Sequence, residues 1–228
     1  MSDFAKLELD GNVFELPIVK GTEGDMGIDI TKLRAETGHI TLDPGLANTG
    51  SCQSQITYLE GDSGILRYSG YPIEQLAEKS SFQEVSYLLM NRELPTESEL
   101  KLFKSKIASY AELPRGVANI LEQFPTTAHP MGVVSATIAS LSAFYPKYVG
   151  QASISSEEKS EIMAQIMGQT KIIISQFYRR LNGKGAVPSN AKLSYAADFL
   201  NMMFGRNGQE IDPEVAEALD TLLILHAD

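Results

Sequence analysis

The side chains best able to do acid–base or metal chemistry are three histidines, His39, His129 and His226, and one cysteine, Cys52. An imidazole exchanges protons near neutral pH and can bind metal ions. No two of the histidines have the spacing of a metal motif, and a single cysteine cannot form a disulfide or a paired-cysteine zinc site. The sequence therefore predicts no metal centre.

Motifs for phosphate binding and for nucleophilic catalysis are also absent. The chain has no GxxxxGK[ST] loop and no GxSxG elbow. The segment Gly61–Gly64 is rich in glycine, but no helix follows it directly, so it is typical of a turn rather than a phosphate-binding loop. Acidic residues are spread along the predicted helices, which is typical of solvated helix faces.

Two of the histidines lie at informative places in the pattern. His129 precedes Pro130, and this position favours a capping or core histidine over a catalyst. His226 follows the apolar run Leu222–Leu225 and would face a core or a pocket. The residue types alone favour a core histidine there.

Two β-hairpins are predicted near the start of the chain. Alternating residues flank Asp10-Gly11 between residues 4 and 20, and a second pair of strands flanks a turn at residues 60–64. A short strand is predicted at His39–Leu42. After Pro72 the hydrophobic period changes from two residues to about 3.6, and one helix follows another.

This order of elements predicts a mainly α fold with a small β-hairpin-containing N-terminal region. We place that region at residues 1–70 and the helical part at residues 71–228. Because strands and helices do not alternate, the pattern weighs against a doubly wound nucleotide-binding fold. Three helix starts carry the spacing of a capping box, at Ser81 with Glu84, Thr96 with Glu99, and Ser155 with Glu158.

One predicted helix carries no charge from Met131 to Tyr145. A helix without a charged face is buried on all sides, either in a core or against another subunit. Both locations are compatible with its small residues, which let a second helix approach closely: Gly132, Ser135, Ala136, Ala139, Ser142 and Ala143.

The last predicted helix runs from Asp212 to Asp228. Asp212 suits the N-cap and Pro213 the first helical position. No Gly, Asn or basic last turn follows to end it. The pattern thus predicts a helix that continues to the last residue.

Composition narrows the class of protein further. The 228 residues have a net charge of −10, with 43% hydrophobic and 21% charged residues, as in ordinary globular proteins. A non-specific nucleic-acid or anionic-membrane binder would carry the opposite charge. With no signal peptide and one cysteine, we expect a cytoplasmic protein.

Several segments together resemble citrate synthase, specifically the larger hexameric kind of Gram-negative bacteria. Single short motifs are weak evidence, but these occur in the family's order along the chain. The segments are Ser51-Cys52, Ile56-Thr57, Gly64–Leu66, Gly70–Leu76, His129–Met131, Leu193–Ala196, Phe199–Phe204 and Leu223–Asp228.

The resemblance implies a mainly α citrate (Si)-synthase, an acyltransferase of the tricarboxylic acid cycle. Such enzymes condense oxaloacetate with acetyl-CoA and water to citrate and CoA, and need no cofactor. It also implies that this chain corresponds to roughly the N-terminal half of the family's chain. The catalytic His and Asp side chains and the arginines that bind carboxylates would then lie beyond position 228. No catalytic residue is expected within the chain, and His226 is expected to line the substrate pocket.

The resemblance also concerns assembly and regulation. It places the charge-free helix at a dimer two-fold, which favours the interface over the core, in a dimer or a hexamer built as a trimer of dimers. Tyr145 and Asn190 are similar to positions of an allosteric NADH site. Ser109 and Tyr110 stand where a basic pair would be needed, and Lys159 is the one cation from Ser155 to Gln169, which weighs against NADH as an effector.

Two other functions remain open at this point. The chain could be a non-catalytic helical assembly module, for which a stop codon after Asp228 would be the evidence. It could also belong to a 2-methylcitrate synthase that uses propionyl-CoA, since the resemblance places acyl selection largely outside this chain. In the fragment, we expect the apolar residues Leu222–Leu225 to be partly exposed.

Overall fold

A computed structural model describes residues 3–150, 153–205 and 210–228, with the side chain of Tyr148 left out. Contacts divide the chain into two compact units, residues 1–54 and 55–228. The division comes after Ser54, so the second hairpin, which we assigned to the N-terminal region, lies in the helical unit. No helix in the described ranges combines the length and hydropathy needed to cross a bilayer.

The first unit is an antiparallel three-stranded sheet with one short helix: β1 Phe4–Leu9, β2 Asn12–Lys20, β3 Met26–Ile28 and α1 Leu33–Thr37. The first hairpin is confirmed, and its turn has positive φ at both Asp10 (51°) and Gly11 (77°). Such a turn matches the right-handed twist of the strands. Leu16 of β2 and Leu33 of α1 are buried in this unit.

The strand predicted at His39–Leu42 is wrong. The structure has no regular element there, and Ile40 and Leu42 are 72% and 88% exposed. A strand forms only where a neighbouring strand supplies hydrogen bonds, and none pairs with this segment in the described residues. Helix α1 ends at Thr37, two residues before this segment.

The second hairpin pairs β4 Thr57–Glu60 with β5 Ile65–Tyr68, and the short strand β6 Tyr71–Pro72 continues the sheet. Tyr68 is fully buried and packs in one cluster with Ile73, Leu76 and Ile224. Residues near both ends of this unit therefore share one core, and this contact explains why the hairpin belongs to the helices.

Eight helices follow in the described part of the second unit, and together they confirm a mainly α fold. All three predicted capping boxes are present, with the side chains of Glu84, Glu99 and Glu158 accepting from the N-cap residue. The helices are α2 Ile73–Lys79, α3 Phe82–Asn91, α4 Glu97–Ser109, α5 Arg115–Gln123, α6 Pro130–Phe144, α7 Ser156–Leu181, α8 Tyr195–Phe204 and α9 Pro213–Leu225.

Helix α7 has 26 residues and packs against α4, α5, α6 and α8. Gly168 permits the close approach to the end of α4, because a Cβ there would lie 2.7 Å from the carbonyl oxygen of Ile107. Two apolar clusters meet α7, one through Ile173 and Phe177 and the other through Ala164 and Met167. The core of the second unit is thus built around this helix.

The buried part of α7 also carries charges. Lys171, 6% exposed, forms an ion pair with Asp198 of α8, 2% exposed. Arg179 is 9% exposed, and its guanidinium donates to the carbonyl oxygens of Gly185, Met203 and Gly205. These bonds connect α7 to both ends of α8 and to the loop between the two helices.

Helix α9 ends at Leu225, so the prediction of a helix to Asp228 is wrong in its last turn. The backbone N–H of His226 bonds to the carbonyl oxygen of Leu223, and the His226 ring bonds to that of Leu222. These bonds satisfy carbonyls that a further helical turn would otherwise use. Leu222 and Leu225 are 53% and 40% exposed, whereas Ile224 is buried.

Removing one member of the buried ion pair should destabilise the fold strongly. Lys171→Met leaves the Asp198 carboxylate buried without its cation, so we expect the free energy of unfolding to fall by about 3–5 kcal/mol. Urea unfolding followed by circular dichroism measures this change.

The matched control is Lys106→Met, which removes a partly exposed pair with Glu161 at 3.8 Å. We expect this variant to lose less than about 1 kcal/mol. If both lysine variants lose the same free energy of unfolding, the buried pair does not contribute more to stability than the partly exposed pair.

Candidate functional site

The end of α9 carries the predicted pocket residue, His226. Its ring is exposed, and Nδ1 lies 2.8 Å from the carbonyl oxygen of Leu222. The next residue, Ala227, packs against the cluster around Tyr68, and the side chain of Asp228 accepts a hydrogen bond from Thr57 of β4. The hairpin therefore holds the residues that follow α9, while the ring itself faces outward.

Helix α9 is also attached to the start of α3. The carboxylate of Asp220 accepts a hydrogen bond from the backbone N–H of Phe82, with an N–O distance of 2.8 Å. Burial raises the pKa of Asp220, with a further contribution from Glu84, against the opposing effects of this N–H and Lys104. A carboxylate at a helix N-terminus meets unpaired N–H groups, so Asp220 fixes the position of α9 on α3.

His129 is the N-cap of α6, and its Nδ1 accepts a hydrogen bond from the N–H of Met131 at 3.3 Å. The prediction of a capping role is confirmed. His39 follows α1, and its Nδ1 lies 3.0 Å from the carbonyl oxygen of Thr37. Among the described residues, no three His, Cys, Asp or Glu side chains come together as they would around a metal ion.

Tyr145 follows α6 and points inward. Its hydroxyl accepts a hydrogen bond from Nε2 of Gln169 at 2.9 Å, and the same nitrogen donates to the carbonyl oxygen of Glu112 at 3.2 Å. Gln169 is fully buried, and its carbonyl oxygen accepts from Gln165 one turn earlier. The Tyr145 hydroxyl is thus part of a buried amide network.

Asn190 lies in the loop before α8 and is exposed. Its backbone N–H donates to Asp198 at 2.7 Å, and its side-chain oxygen accepts from the N–H of Lys192 at 3.1 Å. Asp198 in turn pairs with Lys171 of α7. Because Gln169 and Lys171 are two positions apart, they lie on different sides of α7. The hydrogen bonds therefore attach Tyr145 and Asn190 to different sides of that helix.

A cavity of about 570 Å³ lies beside the start of α7. Hydrogen bonds from Ser155 and the nearby Lys147 lower the pKa of Glu158 there, and the Tyr110 hydroxyl donates to Glu161. Three carboxylates and one ammonium make this cavity a poor site for an anion. It is lined by Lys147, Ser155, Glu157, Glu158 and Glu161.

The charge-free helix α6 has two distinct faces. Val133, Thr137 and Leu141 are buried on the face that packs inside the unit. The hydroxyl of Ser142 is satisfied within the helix by the carbonyl oxygen of Ala139 at 2.8 Å. All six small residues of the predicted interface are exposed in this chain: Gly132, Ser135, Ala136, Ala139, Ser142 and Ala143.

Sequence reasoning missed the buried ion pair and the buried arginine. A signal for the first exists, because Lys171 directly precedes three isoleucines, Ile172 to Ile174, in a helix that must be buried. A cation in such a run requires a partner. The identity of Asp198 as that partner depends on how α8 packs, which the run itself does not reveal.

Known proteins are similar to this chain over almost its whole length. The family model described as the C-terminal domain of citrate synthase matches residues 45–228. The chain is 39% identical over 226 residues to citrate synthase of Corynebacterium glutamicum, covering 98% of this chain and 51% of that protein. It is 41% identical over 228 residues to citrate synthase 1 of Mycobacterium tuberculosis, covering 99% and 52%. The chain thus spans about half the length of these curated relatives.

Solved structures give the same result. The citrate synthase of Pyrobaculum aerophilum superposes with a TM-score of 0.72 at 30% identity, over 92% of this chain and 49% of that one. A ternary complex of Thermoplasma acidophilum citrate synthase with carboxymethyl coenzyme A and oxaloacetate superposes with a TM-score of 0.73 at 28% identity. It covers 82% of this chain and 47% of that one.

The buried amide network generates a prediction about Tyr145. Tyr145→Phe removes the acceptor for one N–H of the buried Gln169, so we expect a loss of about 1–3 kcal/mol in the free energy of unfolding. Tyr71→Phe, at a tyrosine that is 36% exposed, should change it by less than about 0.5 kcal/mol. Thermal and urea unfolding of both variants measure the difference. Equal stability of Tyr145→Phe and the parent chain would mean that the network does not need this hydroxyl.

Proposed function

The chain belongs to the citrate synthase family, and we propose that it forms the N-terminal part of an enzyme that makes citrate. The reaction condenses oxaloacetate with acetyl-CoA and water to citrate and CoA. The match of residues 45–228 to the family model is the observation that carries this proposal. The carboxymethyl coenzyme A and oxaloacetate bound to the Thermoplasma enzyme support the two substrate classes.

We propose further that these 228 residues do not catalyse the reaction by themselves. Removing a proton from the acetyl methyl group needs a positioned base, and both substrates carry negative charge that needs positioned donors. In the described residues the buried cations already have partners, Asp198 for Lys171 and three backbone carbonyls for Arg179. The Nδ1 atom of His129 is occupied by its capping bond.

His226 is the residue of this chain that we assign to the substrate pocket. Its ring is exposed, but the backbone on both sides of the ring is fixed. Ile224 is buried in the core before it, and Asp228 after it accepts a hydrogen bond from Thr57. A fixed backbone with an exposed ring is what a ligand contact requires. This role supports the catalytic residues without replacing them.

The exposed small-residue face of α6 is our candidate for the contact with a second copy of the chain. The face carries no charge, so burying the face against a second copy leaves no charge unpaired. The Ser142 hydroxyl is already hydrogen-bonded within the helix. Small side chains allow a second helix to approach closely. The first unit, with its three-stranded sheet, is compatible with the larger hexameric kind of enzyme, in which such dimers associate in threes.

We do not assign NADH a role as an effector. The acidic cavity at the start of α7 and the inward direction of the Tyr145 hydroxyl both oppose a site for a dinucleotide. A pyrophosphate needs N–H groups or cations around it, and three glutamates provide the opposite potential.

The polypeptide encoded by the complete reading frame tests the activity. We expect it to release CoA from acetyl-CoA only when oxaloacetate is present, while the purified 228-residue chain releases none above the uncatalysed rate. A thiol-reactive dye follows the reaction. Citrate formation by the 228-residue chain would overturn its assigned inactivity.

The same assay distinguishes the alternative functions. Faster turnover of propionyl-CoA than acetyl-CoA would identify a 2-methylcitrate synthase instead. A reading frame that ends at Asp228, with no activity towards either thioester, would favour the assembly module.

Assembly through α6 is tested by charge insertion. Ala139→Arg places a long cation on the exposed small-residue face, so we expect dimers to dissociate to monomers in light scattering after size exclusion. Ser105→Arg, at an exposed position of α4, is the matched control and should leave the mass unchanged. If the parent chain has the mass of six chains, the proposal extends to the hexamer. If dimers persist in Ala139→Arg, this face of α6 is not the dimer contact.

A further inference from the structure

The two histidines at helix ends form opposite hydrogen bonds. The ring Nδ1 of His226 meets a carbonyl oxygen, that of Leu222. A carbonyl oxygen only accepts, so Nδ1 of His226 must carry the proton. The ring Nδ1 of His129 meets the N–H of Met131, which only donates, so this Nδ1 must be unprotonated.

The tautomer of each neutral ring follows from these bonds. In His129 the proton is on Nε2, so the outer nitrogen is a donor. In His226 the proton is on Nδ1, so the outer nitrogen, Nε2, carries a lone pair and is an acceptor. No group in the described parts of the chain donates to that Nε2.

The backbone around His226 is fixed from two sides. Ile224 is 1% exposed and Ala227 packs against the same cluster, which contains Tyr68. The hydroxyl of Thr57 donates to Asp228, two residues after the ring. The β4–β5 hairpin therefore restricts the backbone on which the Leu222 bond depends.

We propose that Nε2 of His226 is a hydrogen-bond acceptor for the CoA thioester, with Thr57 as a positioning residue. This assignment rests on the proposed function and adds which substrate the ring contacts. Oxaloacetate offers carboxylate and carbonyl oxygens, which only accept, so a neutral ring of this tautomer does not complement it. A CoA thioester has amide N–H and hydroxyl groups, which can donate a hydrogen bond to Nε2 of His226.

The tautomer is measured directly on the 228-residue chain. Nitrogen-15 correlation spectra of the histidine rings are recorded near pH 8.5, about two units above the usual imidazole pKa of about 6.5. His226→Gln and His129→Gln assign the signals. We expect a protonated Nδ1 and an unprotonated Nε2 in His226, and the reverse in His129. A His226 ring protonated at Nε2, or averaged between tautomers, would overturn the proposal.

Thr57→Val tests the positioning role with almost no change in side-chain volume. We expect the His226 nitrogen signals to shift towards a tautomer average and those of His129 to stay in place. Thr170→Val is the matched control, because the Thr170 hydroxyl is buried without a partner among the described residues. If Thr57→Val fails to fold, Asp228→Ala removes the same bond from an exposed position. An unchanged His226 spectrum in the variant that folds would exclude Thr57 from this role.

The ligand is tested in the polypeptide of the complete reading frame. His226→Ala should raise KM for acetyl-CoA about tenfold, as expected for one lost hydrogen bond, and leave KM for oxaloacetate within about twofold. A rise confined to oxaloacetate would overturn the assignment to CoA. If that polypeptide makes no citrate, the proposed function fails, and the ring spectra still decide the tautomer.

Discussion

A lysine in the middle of a buried helix determines how the second unit is arranged. Lys171 is buried in α7, the helix that packs against four others, and an unpaired ammonium there would cost several kcal/mol. Asp198 satisfies that charge, but it also accepts from the hydroxyl of Ser189 and the N–H of Asn190. One carboxylate therefore fixes the distance between α7 and α8 and the path of the loop before α8. The cost of removing water from this pair is offset because both oxygens of the Asp198 carboxylate accept hydrogen bonds.

Local chemistry predicts the fold well where a feature depends on residues close in sequence. The capping boxes and the Asp10-Gly11 turn belong to this class, because donor and acceptor are at most a few residues apart. The strand predicted at His39–Leu42 fails because a strand needs a partner. The end of α9 at Leu225 could not be read from composition either, since no glycine or asparagine marks it.

Long-range contacts explain what the sequence does not reveal about the units and the site. Tyr68 and Ile224 share one cluster although more than half of the chain separates them, so the second hairpin groups with the helices. Neither residue is unusual in its own segment. The six small residues of α6 are predicted as a group from their spacing, but their exposure is visible only once Val133 and Leu141 define the buried face. The direction of Tyr145 towards Gln169 is likewise set by packing.

The histidines connect helix polarity with chemistry. A helix presents unpaired N–H groups at its start and unpaired carbonyls at its end. His129 lies at the start of α6, and its Nδ1 accepts a hydrogen bond, so the proton of the neutral ring is on Nε2. His39 and His226 follow helix ends, and their Nδ1 atoms donate to carbonyl oxygens, so Nε2 of each neutral ring carries no proton. The same side chain thus becomes an outward donor or acceptor according to the helix end that it occupies. Since substrates differ in the donors they carry, the position of a histidine relative to a helix already restricts which of them it can bind.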